Sequence, residues 1–122
     1  MPIFVIHEHH AKNLHWDLRL ELGGALKSWA LPKMPAKQKG LKRLAIQVPD
    51  HDKNYATFEG EIKEGYGKGK VKIWDKGNYT LLKRTQKEIE VKFQGKQLHG
   101  RYVLINAKLG DDKKNWLFTR VG

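Results

Sequence analysis

Apolar and polar residues alternate with a period of two along nearly the whole chain, the spacing that turns one side of each strand to a core. The stretch Leu14–Leu22 alternates strictly, Gly23-Gly24 interrupts it, and Ala25–Leu31 resumes an extended register that ends at Pro32. That pattern predicts a hairpin whose glycine pair supplies the positive φ angles of a tight turn. A further strand is predicted over residues 44–48 and stopped by Pro49-Asp50; others are predicted over 58–62, 71–74, 79–83, 89–93, 102–107 and 116–120. Their separators, among them Gly65-Tyr66-Gly67-Lys68-Gly69 and Lys76-Gly77-Asn78, carry turn chemistry. A short turn over residues 52–57 is the one helical candidate. Short strands at this spacing point to an all-β protein, a single small antiparallel β-barrel with few or no helices. Trp16, Trp29, Trp74 and Trp116 all fall in strands and read as core.

Composition narrows the picture. A chain of 122 residues is too short for two independent cores, so one domain over residues 1–122 is expected. Lys and Arg number 24 against 13 Asp and Glu, a formal net charge of +11 that favours a polyanionic partner, nucleic acid first. A hydrophobic fraction of 39% supports a real core and excludes a disordered basic tail. Cysteine is absent, which excludes disulfides, thiolate metal sites and a Cys nucleophile. No apolar run approaches the roughly 18 residues of a membrane span, and the start of the chain lacks a signal h-region. A monomeric cytoplasmic protein without membrane contact is expected.

The most informative residues are His15-Trp16-Asp17-Leu18-Arg19-Leu20-Glu21. In a strand, His15, Asp17, Arg19 and Glu21 share one face while Leu14, Trp16, Leu18, Leu20 and Leu22 share the other. The apolar face accounts for packing and leaves the polar row to be explained. An imidazole and a carboxylate about 7 Å apart along a strand can both reach a cation between them. Arg19 stands one step beyond, placed to hold an anion on the same metal, and His9 is near enough in sequence to add a third ligand. Two imidazoles and a carboxylate with open positions suit Mn²⁺ or Zn²⁺. The competing reading of the same pattern is a solvated strand face with surface histidines. His7 and His10 read as surface residues or as supports for the ligands, with His7 sharing strand parity with His9.

These residues also carry a resemblance. Phe4-Val5-Ile6 with His9, then Leu14 through Glu21, Leu26-Lys27-Ser28-Trp29-Ala30-Leu31-Pro32-Lys33, Arg43-Leu44-Ala45, Asp50-His51, Tyr55 and Phe58-Glu59-Gly60 follow one family's pattern. So do Tyr66-Gly67-Lys68-Gly69, Val71 through Gly77, Gly100 through Leu104 and Asn115-Trp116-Leu117. Together they closely resemble the 3′-phosphoesterase domain of bacterial DNA ligase D and its stand-alone archaeal relatives. The resemblance implies a Mn²⁺-dependent β-barrel enzyme, with Zn²⁺ or another divalent metal as the alternative. Its substrates would be DNA or RNA/DNA 3′ ends at primer–template junctions, from which it removes a terminal ribonucleoside and then the 3′-phosphate. A separately encoded DNA ligase or polymerase would be its partner.

By residue match, the resemblance makes His9, His15 and Asp17 the metal ligands and places Arg19 and His51 on the phosphate. Tyr55 and Glu21 fall at further active-site positions, and Lys33 and Arg43 at basic positions that hold the scissile or a neighbouring phosphate. Arg19 is expected to grip phosphate oxygens with its planar fork, and His51 either to donate to a phosphate oxygen or to protonate the leaving oxygen. The chain departs from the pattern in carrying His7 where Gln is frequent and Pro49 where an acidic residue is frequent, and in starting almost at its first strand. The alternative function is a non-catalytic basic β-barrel that binds nucleic acid through phosphate contacts. A row of His15, Asp17 and Arg19 beside His9 has no use in such a module.

Overall fold

A computed structural model of the chain describes residues 2–65, 68–106 and 113–122. These residues form an all-β fold of nine strands: β1 (Ile3–His10), β2 (Leu14–Leu22), β3 (Ala25–Leu31), β4 (Lys42–His51), β5 (Gly60–Ile62), β6 (Gly69–Arg84), β7 (Glu88–Gly95), β8 (His99–Asn106) and β9 (Asn115–Arg120). Strands pair in the order β1-β2-β3-β4-β9-β8-β7-β6, and β6 pairs back with β1, so eight antiparallel strands close a barrel. β5 hangs outside this ring on the start of β6. One 3-10 turn, Lys53–Thr57, follows β4, where a helical turn was expected; Asp52 caps it by accepting the Asn54 amide at 2.9 Å. No helix among the described residues is long and apolar enough to cross a membrane.

Strand parity sorts residues into two apolar clusters on opposite sides of the wall. Phe4, Ile6, Leu18, Leu20, Trp29, Phe93, Tyr102 and Phe118 fill the barrel interior with Trp116, while Trp16 and Trp74 pack against that core half-buried. On the outer side of β1 and β3, Val5 and Leu26 receive Ala56 of the 3-10 turn, with Ile3, Tyr55 and Ile73 around them. The odd-numbered face of β2 is therefore not bathed in solvent. The turn after β4 lies across it, and both Asp17 and Arg19 are buried.

Some expectations fall outside the described residues and others differ from the structure. Tyr66 and Gly67 of the predicted glycine-rich turn, and Ala107 at the end of a predicted strand, lie outside the described residues. The segments 71–74 and 79–83 are one continuous strand, β6, whose first half pairs with β1 and second half with β7. Gly77 sits in the middle of it because a Cβ there would collide with the Gln94 carbonyl, so its glycine serves close strand approach and not a turn. The fourth strand runs past Pro49 to His51 and is not stopped there. Ser28 pairs with Val48 while Leu26 pairs with His51, so two steps on β3 face three on β4. That bulge absorbs Pro49, which has no amide to offer the ladder, and returns His51 to register.

Sequence reading also missed a buried carboxylate with a purely structural task. Asp75 accepts the backbone amides of Lys76, Lys96, Gln97 and Leu98 at 2.8–3.1 Å, and so shapes the turn between β7 and β8.

Candidate metal and phosphate site

The register of β1 against β2 builds the site. His9 faces His15 and His7 faces Asp17, so residues two apart on each strand meet on the same outer face. The rings of His9 and His15 stand 4.7 Å apart by centroid. One ligand atom from each of His9, His15 and Asp17 lies within 4.8 Å of the others. Asp17 Oδ2 is 3.5 Å from His9 Nδ1 and 3.4 Å from His15 Nε2.

The donor chemistry fits a divalent cation. His15 Nδ1 lies 3.1 Å from the Asn13 carbonyl. A carbonyl only accepts, so Nδ1 carries the hydrogen and Nε2 is the nitrogen left to bind a metal. Burial pushes the Asp17 carboxyl upward, but the His15 hydrogen bond and the charges of Arg19, His15 and His9 outweigh it and hold the group below its usual range. The His15 hydrogen bond to Asp17 in turn raises the imidazole's pKa, against the opposing effect of burial. Two nitrogen donors and an ionised carboxylate converge here, and divalent metals favour such sets.

Beside the three lies the guanidinium of Arg19, buried on the same face of β2. Its Nε donates to His7 Nδ1 at 3.0 Å, its Nη1 to Ser28 Oγ at 2.9 Å and to His51 Nδ1 at 3.1 Å, and its Nη2 to Asp17 Oδ2 at 3.3 Å. Ser28 Oγ passes its own hydrogen to the Leu26 carbonyl. The Tyr55 ring lies under the guanidinium at 4.9 Å and stacks on Phe58 at 5.0 Å. Burial, then the Arg19 charge, push His51 below the ordinary histidine value, so it is neutral at pH 7. Burial raises the Tyr55 phenol despite the opposing guanidinium, and the hydroxyl keeps its proton.

An open groove of about 940 Å³ runs along these residues, lined by His9, His15, Asp17, His51 and Tyr55 and bordered by Lys12 and Lys68. The walls Ala30, Ile46 and Val48 come from β3 and β4. Gly69 brings the Lys68 loop against the first hairpin: its φ is +144°, and a Cβ would strike the His10 carbonyl.

Six of the sequence-derived site residues thus meet: His9, His15, Asp17, Arg19, His51 and Tyr55. Glu21 stands at the far end of β2, accepting the Ile3 amide at 3.0 Å and pairing with Lys53 at 2.7 Å; those two partners, Lys53 first, lower its pKa. Arg43 donates from Nε to the Met34 carbonyl at 2.9 Å, and Lys33 is exposed beside Pro32; neither lines the groove. Arg19 is not a free fork. Four of the five N–H bonds a guanidinium offers are taken by His7, Ser28, His51 and Asp17, which leaves one on Nη2 among the described residues.

The family model of the DNA ligase D 3′-phosphoesterase domain matches residues 7–106. The chain belongs to that family. The chain is similar to the multifunctional non-homologous end joining protein LigD of Pseudomonas aeruginosa, 42% identical over 96% of this chain. The LigD proteins of Mycobacterium tuberculosis and Mycolicibacterium smegmatis are 46% and 42% identical over 97% of it. The chain spans only 15–16% of the length of these relatives.

Ser28 escaped sequence reading of this phosphoesterase-family chain, and of the two readings of His7 the surface one fails. His7 is wholly buried, not on the surface, and Ser28 is a buried hydroxyl. The available signal was parity: His7 is in step with His9, and Ser28 is a polar residue between the apolar Leu26 and Ala30. Their contact with Arg19 depends on the pairings Arg19↔Ser28 and His7↔Asp17, which only the barrel supplies.

Proposed function

We propose that this chain is a divalent-metal-dependent phosphoesterase that repairs nucleic-acid 3′ ends for joining. In this reading it removes a terminal ribonucleoside from DNA or RNA/DNA primer–templates, leaving a 3′-phosphate. It then hydrolyses that phosphate with water to a 3′-hydroxyl and inorganic phosphate. The observation that carries this reading is the convergence of His9, His15 and Asp17 within 4.8 Å beside the buried Arg19, on an open groove. Family membership and the basic excess of +11 point to the same class of substrate.

His9, His15 and Asp17 would hold the metal, Mn²⁺ first with Zn²⁺ or another divalent metal as the alternative. Such a metal, when bound, would supply Lewis-acid polarisation of a phosphoryl oxygen and would make water more acidic. The protein's share is orientation. Asp17 is kept ionised by its neighbours, and His15 is fixed in one tautomer by the Asn13 carbonyl. Arg19 contributes positive charge and a single N–H from Nη2 to the phosphate, not a two-donor grip. His51 is held neutral with Nδ1 accepting from Arg19 Nη1, so its hydrogen sits on Nε2. A neutral imidazole in that tautomer donates a hydrogen bond to a phosphate oxygen, and this role is assigned in preference to general acid. Tyr55 supports the guanidinium through its ring face. Glu21 fastens β1 and the 3-10 turn, Arg43 fastens the loop at Met34, and Lys33 is given no role at the metal. A DNA ligase or polymerase activity would consume the 3′-hydroxyl product.

The test is incubation of labelled primer–templates ending in 3′-phosphate or a 3′-ribonucleotide, with Mn²⁺ and with chelator. Conversion to 3′-hydroxyl that chelator abolishes is expected. Binding of the same ends without any turnover would leave a nucleic-acid-binding barrel instead.

A further inference from the structure

The most deeply buried imidazole of the molecule belongs to none of the roles above. His7 has no exposed surface, lies on the outer face of β1 between Val5 and His9, and meets the edge of the Tyr55 ring at 5.1 Å. An apolar side chain would fill the same space without the cost of burying a polar ring. What His7 supplies is an acceptor. Its Nδ1 takes the Arg19 Nε–H at 3.0 Å, and Nε is the one nitrogen of the guanidinium bonded to the side-chain stem. Ser28, His51 and Asp17 hold the two terminal nitrogens but reach them from the side of β3, β4 and the ligand row. Bonding at Nε fixes the last torsion of the arginine stem and with it the plane of all five N–H bonds.

We propose that His7 is a positioning residue that acts through Arg19. By accepting at Nδ1 it orients the guanidinium so that its one uncommitted N–H, on Nη2 beside Asp17, faces the phosphate at the His9, His15 and Asp17 centre. The inference rests on the phosphoesterase reading for its kinetic consequence and on the His7–Arg19 geometry for its structural one. The bond is specific to the acceptor atom. Asn Oδ1 occupies nearly the place of His Nδ1, whereas Leu fills the volume with no acceptor.

The experiment compares His7→Leu, His7→Asn and His7→Ala with the wild type. Thermal melts establish folding, and Mn²⁺ calorimetry establishes the ligand shell. His7→Ala, which removes the acceptor without adding volume, stands in if the leucine variant does not fold. The expected result for His7→Leu is a kcat on 3′-phosphate primer–templates lowered by about 10- to 100-fold, with Mn²⁺ affinity within about 3-fold of wild type and KM little changed. His7→Asn should recover most of that loss. Independently of turnover, the hydrogen-bonded Arg19 Nε–H should give a slowly exchanging ¹H–¹⁵N signal in the wild type and His7→Asn but not in His7→Leu. Full kcat in His7→Leu, or equal losses in the Asn and Leu variants, overturns the proposal. An Arg19 Nε–H signal that persists unchanged in His7→Leu does so as well, even if no 3′ end is a substrate. Absence of turnover in the wild type would overturn the phosphoesterase reading alone.

Discussion

Asp17 Oδ2 lies 3.3 Å from Arg19 Nη2 and within 3.5 Å of a nitrogen on both His9 and His15. One carboxylate oxygen thus neutralises the guanidinium and gathers the imidazoles. Removing it does two kinds of harm: it deletes a metal ligand and leaves a buried cation without its partner. Asp17→Ala should lose Mn²⁺ binding and destabilise the protein by about 3 kcal/mol. Calorimetric titration and urea unfolding of the metal-free protein check the two halves. Unchanged stability would mean that Arg19 finds another anion or reaches solvent.

His15 offers a cleaner separation, because it is partly exposed and its ring hydrogen bond goes to a turn carbonyl. His15→Ala should weaken Mn²⁺ binding by about 100-fold or more while costing less than about 1 kcal/mol of stability. The same calorimetry and unfolding measurements read both numbers.

Arg19→Lys should be nearly as damaging to turnover as Arg19→Ala. An ammonium has three donors on one atom and cannot serve His7, Ser28, His51 and Asp17 together. Single-turnover kinetics at saturating Mn²⁺ measure the loss. Full activity in Arg19→Lys would reduce the guanidinium to a general positive charge.

The metal-free protein should weaken on the acid side. Burial, then Arg19, push His7 down to about 4, and the same two causes lower His51. Both fall below the roughly 6.5 of an unfolded histidine, so the unfolded chain binds more protons as the pH drops. The stability held by these neutral rings is complete above about pH 6.5 and is lost as pH falls towards 4. For His7 the shift corresponds to about 3 kcal/mol. Urea midpoints across this range, with chelator present, should fall less steeply for His7→Leu than for wild type.

Nucleic-acid binding should weaken log-linearly with salt, since the +11 charge acts through phosphate contacts and counterion release. Hydrolysis of a small chromogenic phosphate ester should respond far less. Equal salt sensitivity of the two would place all the relevant charge at the metal centre.

Much of this was legible in the sequence because a strand writes its two faces in alternate letters. His15, Asp17 and Arg19 declared a common face, and His9 faces His15 across a short turn, near enough to join them. The barrel followed from glycine-punctuated alternation. Parity says which residues share a side, however, and not what covers that side. Parity alone leaves a solvated row open as a reading, whereas the 3-10 turn and Tyr55 lie over it and bury Arg19. Tyr55 packs on the outer wall. His7 and Ser28 became partners of Arg19 only through strand register. Pro49 marked a stop by its chemistry, but the bulge that tolerates it depends on β3. Gly77 has turn chemistry by type and is a strand contact by circumstance.

The chemistry sits on the outer wall of a closed barrel, with the core on the inner side of the same strands. Each of β1 and β2 is therefore read twice, once per face, and the two messages are chemically insulated by the thickness of a single sheet. The groove opens from the side of that wall, so a nucleic-acid end bound there would thread no barrel mouth. Altering His9, His15, Asp17 or Arg19 leaves untouched the residues of the same strands that keep the barrel shut, Phe4, Ile6, Leu18 and Leu20.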